Sequence, residues 1–269
     1  MSEPIEIPRD FGRQAFGDDP ANYDRSRPEY PGWVWDTLAL SCGLGPGVAT
    51  FEIGAGTGTA TRRLLAAGAR VTAVEPDTRL AAFLRAESGG PALEVMGATF
   101  EDVTLPEGAF DLGLSATAFH WLDEDAALAK IARLLRPGGW WAAVWNIFGD
   151  DSQPDPFHDA TTVLFEGART SPSAGRKGTI EFGLDAARRI GALERTSAFD
   201  AIEHRTSRWP LVLTADQVVA LYATYSNVNA RADRSELLAT LGRVASEPPF
   251  NDRVVRNMTT SLFVARRRV

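Results

Sequence analysis

Val48-Ala-Thr-Phe-Glu-Ile53 runs straight into Gly54-Ala-Gly-Thr-Gly58, and the join between these two segments sets the fold. The first segment is a short apolar run of strand type, and the second is a turn in which every other residue lacks a Cβ. A helix is predicted from Thr59 to Ala67. Residues 70–75 (Arg-Val-Thr-Ala-Val-Glu) read as a second strand, and Pro76-Asp77 opens a second helix that ends near Gly89-Gly90. Strand, helix and strand in about 30 residues form a βαβ unit, whose strands are parallel and whose crossover is right-handed.

The same alternation extends outward. Strands are predicted near 93–96, 109–115 and 140–145, with a helix over 123–136 whose Leu128, Ile131 and Leu135 share a face. Acidic residues occupy its first turn, where the helix dipole favours them, and Pro137-Gly138-Gly139 stops it. On the N-terminal side a helix starts at Pro31 and presents Trp33, Val34 and Leu38. On the C-terminal side a helix is predicted near 155–168, and segments 197–206 and 258–267 read as two closing strands. Between these strands Thr214-Ala-Asp-Gln217 is a capping box ahead of Val218, Leu221, Tyr222 and Tyr225, and a second helix covers Ser235–Ala245.

The predicted fold is therefore α/β: a doubly wound, mostly parallel seven-stranded sheet with helices on both faces, plus an N-terminal leader and a helical cap. Residues 1–30 form the leader, which lacks sustained periodicity and reads as a lid. Residues 31–147 form the core, 148–196 an insertion with lid helices, and 197–269 the closing strands with the cap inserted at about 214–247.

Composition narrows the function. The 269 residues carry a net charge of −7 and a pI near 5.1, with 44% apolar and 23% charged residues. That is an ordinary globular balance with no basic field to neutralise phosphates, so neither nucleic acid nor an anionic membrane surface is an expected partner. Arg266-Arg-Arg268 at the end reads as a solvated tail, and Lys130 and Lys177 are the only lysines. Cys42 is alone, which excludes an intrachain disulfide and a cysteine metal cluster. His120, His158 and His204 show no metal-ligand spacing, so no metal is expected. The start has neither a basic n-region nor an apolar h-region, and a cytoplasmic location is expected. Whether the protein is a monomer or a homodimer is left open by the sequence.

The glycine turn lets backbone approach a ligand closely and aims helix N–H groups at it. A dinucleotide fingerprint places Gly or Ala where Thr59 stands, so the spacing fits G-x-G-x-G better than G-x-G-x-x-G. Glu75 ends the second strand, where a carboxylate accepts two hydrogen bonds from a ribose diol.

These segments, together with Val74-Glu-Pro-Asp77, Thr99-Phe-Glu101, Phe110-Asp-Leu112, Ala118-Phe-His-Trp121 and Leu134-Leu-Arg-Pro-Gly-Gly139, resemble the class I S-adenosylmethionine-dependent methyltransferases over roughly residues 20–146. The leader Tyr23-Asp-Arg-Ser-Arg-Pro28 with Tyr30-Pro31, and the His-Trp pair, look like the subgroup related to ubiquinone/menaquinone-pathway and trans-aconitate methyltransferases. The resemblance implies S-adenosyl-L-methionine as cofactor, S-adenosyl-L-homocysteine as product and a small-molecule acceptor. It implies that Gly54, Ala55, Gly56 and Gly58 face the methionine part, with Glu52 polarising the loop, while Glu75 and Pro76 hold the ribose. Phe100 would lie against adenine and Glu101 near its amino group, where the family more often has Asp. Ser115 and Ala116 would offer carbonyls to the ammonium. Tyr23 and Arg27 would close the site, the guanidinium matching the cofactor carboxylate.

His120 is the candidate general base if the acceptor is a hydroxyl, set against a packing role beside Trp121. Trp121, Trp145, Asn146, Tyr222 and Tyr225 are candidate acceptor contacts, although aromatics at helical spacing also suit a core. No Asn/Asp-Pro-Pro-Tyr/Phe follows the fourth strand and no Pro-Cys occurs, so an oxygen, carbon or carboxylate acceptor is expected over a base or amide nitrogen. Two alternatives stand beside this reading: a cofactor-binding protein with a regulatory or non-methylating role, and a nicotinamide-dependent oxidoreductase on the same fold.

Overall fold

A computed structural model describes residues 6–148, 154–174 and 180–269. The first five residues of the leader, and 149–153 and 175–179 of the predicted excursion, including Lys177, lie outside the described residues.

The leader holds two short helices, α1 (Arg9–Gln14) and α2 (Pro20–Ser26), the second capped by the Asp19 carboxylate on Asn22 N–H at 2.9 Å. Helix α3 (Gly32–Cys42) follows Pro31 and stops at Gly43, whose φ of 73° is the left-handed conformation a helix C-terminus favours. Then come β1 (Ala49–Ile53), α4 (Thr59–Ala66), β2 (Arg70–Val74), α5 (Thr78–Ser88), β3 (Leu93–Met96), β4 (Phe110–Ala116), a 3-10 turn at Phe119–Trp121, α6 (Glu124–Leu134) and β5 (Leu135–Phe148). Beyond β5 lie α7 (Pro156–Thr161), 3-10 turns at Thr162–Phe165 and Pro172–Ala174, and α8 (Ala186–Arg195). The chain closes with β6 (Phe199–Leu213), α9 (Ala215–Tyr222), α10 (Ser226–Asn229), α11 (Arg234–Ser246) and β7 (Val254–Arg267).

The strands form one seven-stranded sheet in the order β3-β2-β1-β4-β5-β7-β6. The pairs among β1 to β5 are parallel, and β7 runs antiparallel to both β5 and β6. Alternation of side chains assigns the two faces. On β5, Trp141, Ala143 and Trp145 enter the core layer shared with Leu128 and Ile131 of α6 and Leu193 of α8, whereas Ala142 and Val144 enter the layer of Val34 and Leu38 of α3 and Leu64 of α4. Gly113 makes room for Phe51, because a Cβ there would fall 2.3 Å from the Phe51 ring.

Three expectations are corrected here. The leader is helical in two places. The predicted helix over 123–136 ends at Leu134, and β5 runs on through Pro137-Gly138-Gly139 with a register shift against β4 between Phe110 and Leu112. Helix α8, expected as part of a lid, packs Ala192 and Leu193 into the sheet's core layer. A third apolar cluster, built by Phe157, Val218, Leu221, Tyr222, Leu237 and Val254, joins α7, α9 and α11 as the cap.

Candidate active site

The strand order reverses between β1 and β4, so the carboxyl ends of these strands diverge and leave a crevice, the place where open α/β sheets bind ligands. A cavity of about 550 Å³ opens there, lined by Gly54 and Gly56 of the bend, Glu75 and Pro76, Phe100 and Glu101, Ala116, and His120 and Trp121. It continues under the cap to Tyr222, Tyr225 and Arg256, and its volume suits a nucleoside-sized ligand with a second small molecule.

Each glycine of the bend has its own reason. Gly54, Gly56 and Gly58 have φ of 70°, 58° and 100°, which L side chains rarely adopt. A Cβ on Gly54 would come 2.3 Å from Ala118 Cβ, and on Gly58 2.5 Å from Leu84 Cδ1. On Gly56 it would meet only the edge of Tyr23 at 3.9 Å, so this glycine keeps the cleft itself open. The bend is tied to the next strand by N–H bonds from Gly54 and Ala55 to the Val74 carbonyl.

Glu75 is 4% exposed and spans the bend and the start of the following loop: its Oε2 accepts from Gly56 N–H at 2.8 Å and its Oε1 from Asp77 N–H at 2.9 Å. Each carboxylate oxygen keeps a lone pair for a hydroxyl, which is what a vicinal diol requires. Burial pushes its pKa up to about 7 against those two N–H donors. Glu52 lies beneath the bend, its Oε2 accepting from Thr61 Oγ1 at 2.6 Å, and burial lifts its pKa to about 8. A smaller recess of about 60 Å³ joins Glu52, Ala55, Gly56 and Arg27. Of the two residues expected to offer carbonyl acceptors, Ala116 lines both cavities, while Ser115 is fully buried with its hydroxyl donating to the Ile53 carbonyl at 3.0 Å.

Phe100 is more deeply seated than expected, stacked on Phe51 at 6.2 Å between ring centres, so only part of it faces the cavity. The loop that carries it is held from below by Lys130, whose Nζ donates to the carbonyls of Phe100 at 2.6 Å, Glu101 at 3.1 Å and Val103 at 2.6 Å. The sequence offered one clue to that role: a solitary lysine on the predicted helix before β5.

The leader closes one side of the cavity. The Arg27 guanidinium is sandwiched between the rings of Tyr23 at 4.9 Å and Tyr225 at 5.0 Å, and its Nη2 donates to the Thr224 carbonyl at 2.8 Å. Its Nε is buried without a partner. Asn146, expected as an acceptor contact, lines the cavity, and its amide also ties the leader to the sheet. Its Nδ2 donates to the carbonyls of Pro28 at 3.2 Å and Glu29 at 3.1 Å, and its Oδ1 accepts from Thr260 Oγ1 at 2.6 Å. Both ends of the amide are thus committed to tying the leader to the sheet.

His120 is 4% exposed among Trp121, Trp145 and Phe182. Trp145 Nε1–H donates to its Nδ1 at 3.2 Å, which leaves the single ring proton of the neutral imidazole on Nε2. Burial first, and the Arg27 charge second, lower its pKa to about 3. In this arrangement the imidazole forms part of the cavity wall and carries its proton on Nε2.

Under the cap, the sequence reading missed an ion pair. Arg256 of β7 donates from Nε to Asp155 Oδ2 at 2.7 Å and from Nη1 to the Tyr222 hydroxyl. The clue was present: Val254, Arg256 and Met258 alternate as one inward-facing row, so the arginine had to be buried. Among the described residues, no group of three or more His, Cys, Asp or Glu side chains is placed to hold a metal, and no helix is long and apolar enough to cross a membrane.

Comparison with known proteins agrees with this geometry. Residues 51–143 match the profile of a methyltransferase domain family. Over this segment the chain is similar to methyltransferase domains. An uncharacterized methyltransferase of Mycobacterium tuberculosis is 37% identical over 132 residues, 49% of this chain and 52% of that protein. The chain thus spans about half the length of the curated relatives it matches. Among solved structures, phosphoethanolamine N-methyltransferase 2 of Haemonchus contortus, in complex with phosphomonomethylethanolamine and S-adenosylhomocysteine, superposes with a TM-score of 0.59 at 15% identity, covering 98% of this chain and 61% of that one. The [4+2]-cyclase SpnF superposes with a TM-score of 0.57 at 16% identity over the full length of both chains. Both show that the methyltransferase fold is shared.

Proposed function

We propose that this chain transfers the methyl group of S-adenosyl-L-methionine to a small-molecule acceptor in the cytoplasm. The observation that carries the reading is the junction of an open glycine bend with a buried carboxylate on one cavity, Gly56 N–H on Glu75 Oε2. The site residues fit the cofactor. The two free lone pairs of Glu75 suit the ribose diol, and the uncompensated Nε of Arg27 beside the recess at Glu52 and Ala55 suits the amino-acid end. When bound, the sulfonium supplies an activated methyl donor.

The chain's own contribution is then positioning. Glu75 and the bend fix the nucleoside, Arg27 and Tyr23 cover it, and the aromatic walls at Trp121 and Trp145 exclude water from the line of attack. Alignment of that kind supplies roughly 7–11 kcal/mol of barrier reduction. His120 Nε2–H steers the acceptor as a donor, and because no free basic nitrogen stands there, an acceptor that arrives already ionised is favoured over a neutral alcohol.

Calorimetry tests the reading: S-adenosylmethionine and S-adenosylhomocysteine bind at micromolar level, and absence of heat with both removes the proposal. The non-methylating alternative draws on the same His120 geometry, which lacks a base; it predicts cofactor binding with no methylated product across acceptors. The methyltransferase-domain match weighs against the nicotinamide alternative.

A further inference from the structure

The cap half of the cavity ends in a buried guanidinium and in a hydroxyl without a hydrogen-bond partner among the described residues. Arg256 is 2% exposed and lines the cavity, and its Nε and Nη1 are engaged by Asp155 and Tyr222. The hydroxyl is that of Tyr225, and it is buried. A buried donor left unpaired costs about 1–3 kcal/mol, so this hydroxyl, in the same chamber as a buried guanidinium, marks a place where a ligand completes the bond. The Arg27 guanidinium lies over the Tyr225 ring at 5.0 Å, and that of Arg256 is paired with the Asp155 carboxylate, so two cations and one anion surround the chamber. The rings of Phe148, Phe165 and Tyr222 give that chamber its aromatic walls, beside the polar Thr161, Ser226 and Asn227.

Topology sets the distance. Arg256 sits on β7, which is three strands from β1 in the sheet order, and so roughly 14 Å from the bend at the ordinary strand spacing. It also lies beyond the Phe148↔Met258 pair that ends the β5–β7 ladder. This group is therefore remote from the cofactor cradle.

We propose that the chamber anchors the acceptor by a carboxylate that is not the methylated atom: a mostly apolar molecule whose carboxylate is bound by the Arg256 guanidinium and the Tyr225 hydroxyl, with its body along Phe148 and Phe165 toward the bend. The assignment of the molecule as acceptor rests on the methyltransferase reading; the anchor itself does not. One guanidinium already half-neutralised by Asp155, one hydroxyl and aromatic walls suit a singly charged planar group. A dianionic phosphate asks for more donors than are present.

The experiment titrates 4-phenylbutyrate, 4-phenylbutyramide and 4-phenylbutyl phosphate into protein saturated with S-adenosylhomocysteine. The acid binds at least tenfold tighter than the amide and the phosphate. Tyr225→Phe keeps the ring against Arg27 and removes only a hydroxyl without a partner among the described residues, and the preference for the acid over the amide falls severalfold. The double variant Asp155→Asn with Arg256→Gln replaces the buried pair together and brings acid and amide level. Equal affinities in the native protein, tighter binding of the phosphate, no binding of any probe, or a preference that survives both variants overturns the anchor. If S-adenosylhomocysteine itself fails to bind, the methyltransferase reading falls, and the same titrations on the ligand-free protein still decide the anchor.

Discussion

Glu52 and Glu75 are held near pKa 8 and 7 by burial, so around neutral pH both are partly protonated in the ligand-free protein. A diol and an ammonium each favour the carboxylate form, so binding drives protons off. The affinity for S-adenosylhomocysteine is expected to rise about tenfold or more from pH 6 to 8.5, with net proton release visible as a buffer-dependent enthalpy in calorimetry. Glu75→Gln flattens that dependence and weakens binding. The folded-state pKa of Glu52 stands above its unfolded value, so its contribution to stability is full at low pH and is lost as pH rises through about 8. Glu52→Gln therefore raises the melting temperature at pH 9, by roughly 2–4 °C per kcal/mol relieved, while it weakens cofactor binding. For His120, a pKa near 3 means that the pH–rate profile shows no inflection from this residue between pH 5 and 8. His120→Asn keeps a donor and loses less turnover than His120→Ala; an inflection near pH 6.5 that vanishes in both variants would restore the base.

At the scale of elements, the leader is the part that tertiary contact creates. Helices α1 and α2 have 6 and 7 residues, too short to persist alone, and no apolar stripe announces them. They stay because Arg79 Nη2 donates to the Gln14 carbonyl at the end of α1, Asn22 Nδ2 of α2 to the Ala220 carbonyl, and, just beyond α2, Arg27 to Thr224 and Asn146 to Pro28 and Glu29. Asn146→Ala is expected to weaken S-adenosylhomocysteine binding about tenfold and to speed proteolysis within residues 20–30, with the sheet core intact by circular dichroism. The βαβ alternation was readable because each strand of the parallel part carries its own apolar run between turn residues. The far halves of the closing strands were not: β6 extends to Leu213 through Arg208-Trp-Pro210 on the sheet's edge, where Pro is tolerated and side chains alternate into solvent. At the site, glycines and Glu75 were legible because local spacing alone demands them, whereas the Trp145–His120 bond and the Arg256–Asp155 pair join residues 25 and 101 positions apart.

For the whole molecule, a ligand that bridges cradle, leader and cap couples three separately packed regions. At 100 times its dissociation constant it stabilises the folded chain by about 2.7 kcal/mol, an increase in melting temperature of roughly 5–10 °C by the usual size scaling. Differential scanning fluorimetry with S-adenosylhomocysteine checks this, and a flat response at saturation would mean that the cavity does not bind it. The cap is strung between the far ends of β6 and β7, and β7 alone joins that pair to the parallel strands. The hairpin is thus a mount whose cargo also carries the latch of the leader: a foreign segment grafted in place of 214–253 resets the far chamber and, by removing Tyr225 and the Thr224 carbonyl from Arg27, loosens the cover over the nucleoside at the same time.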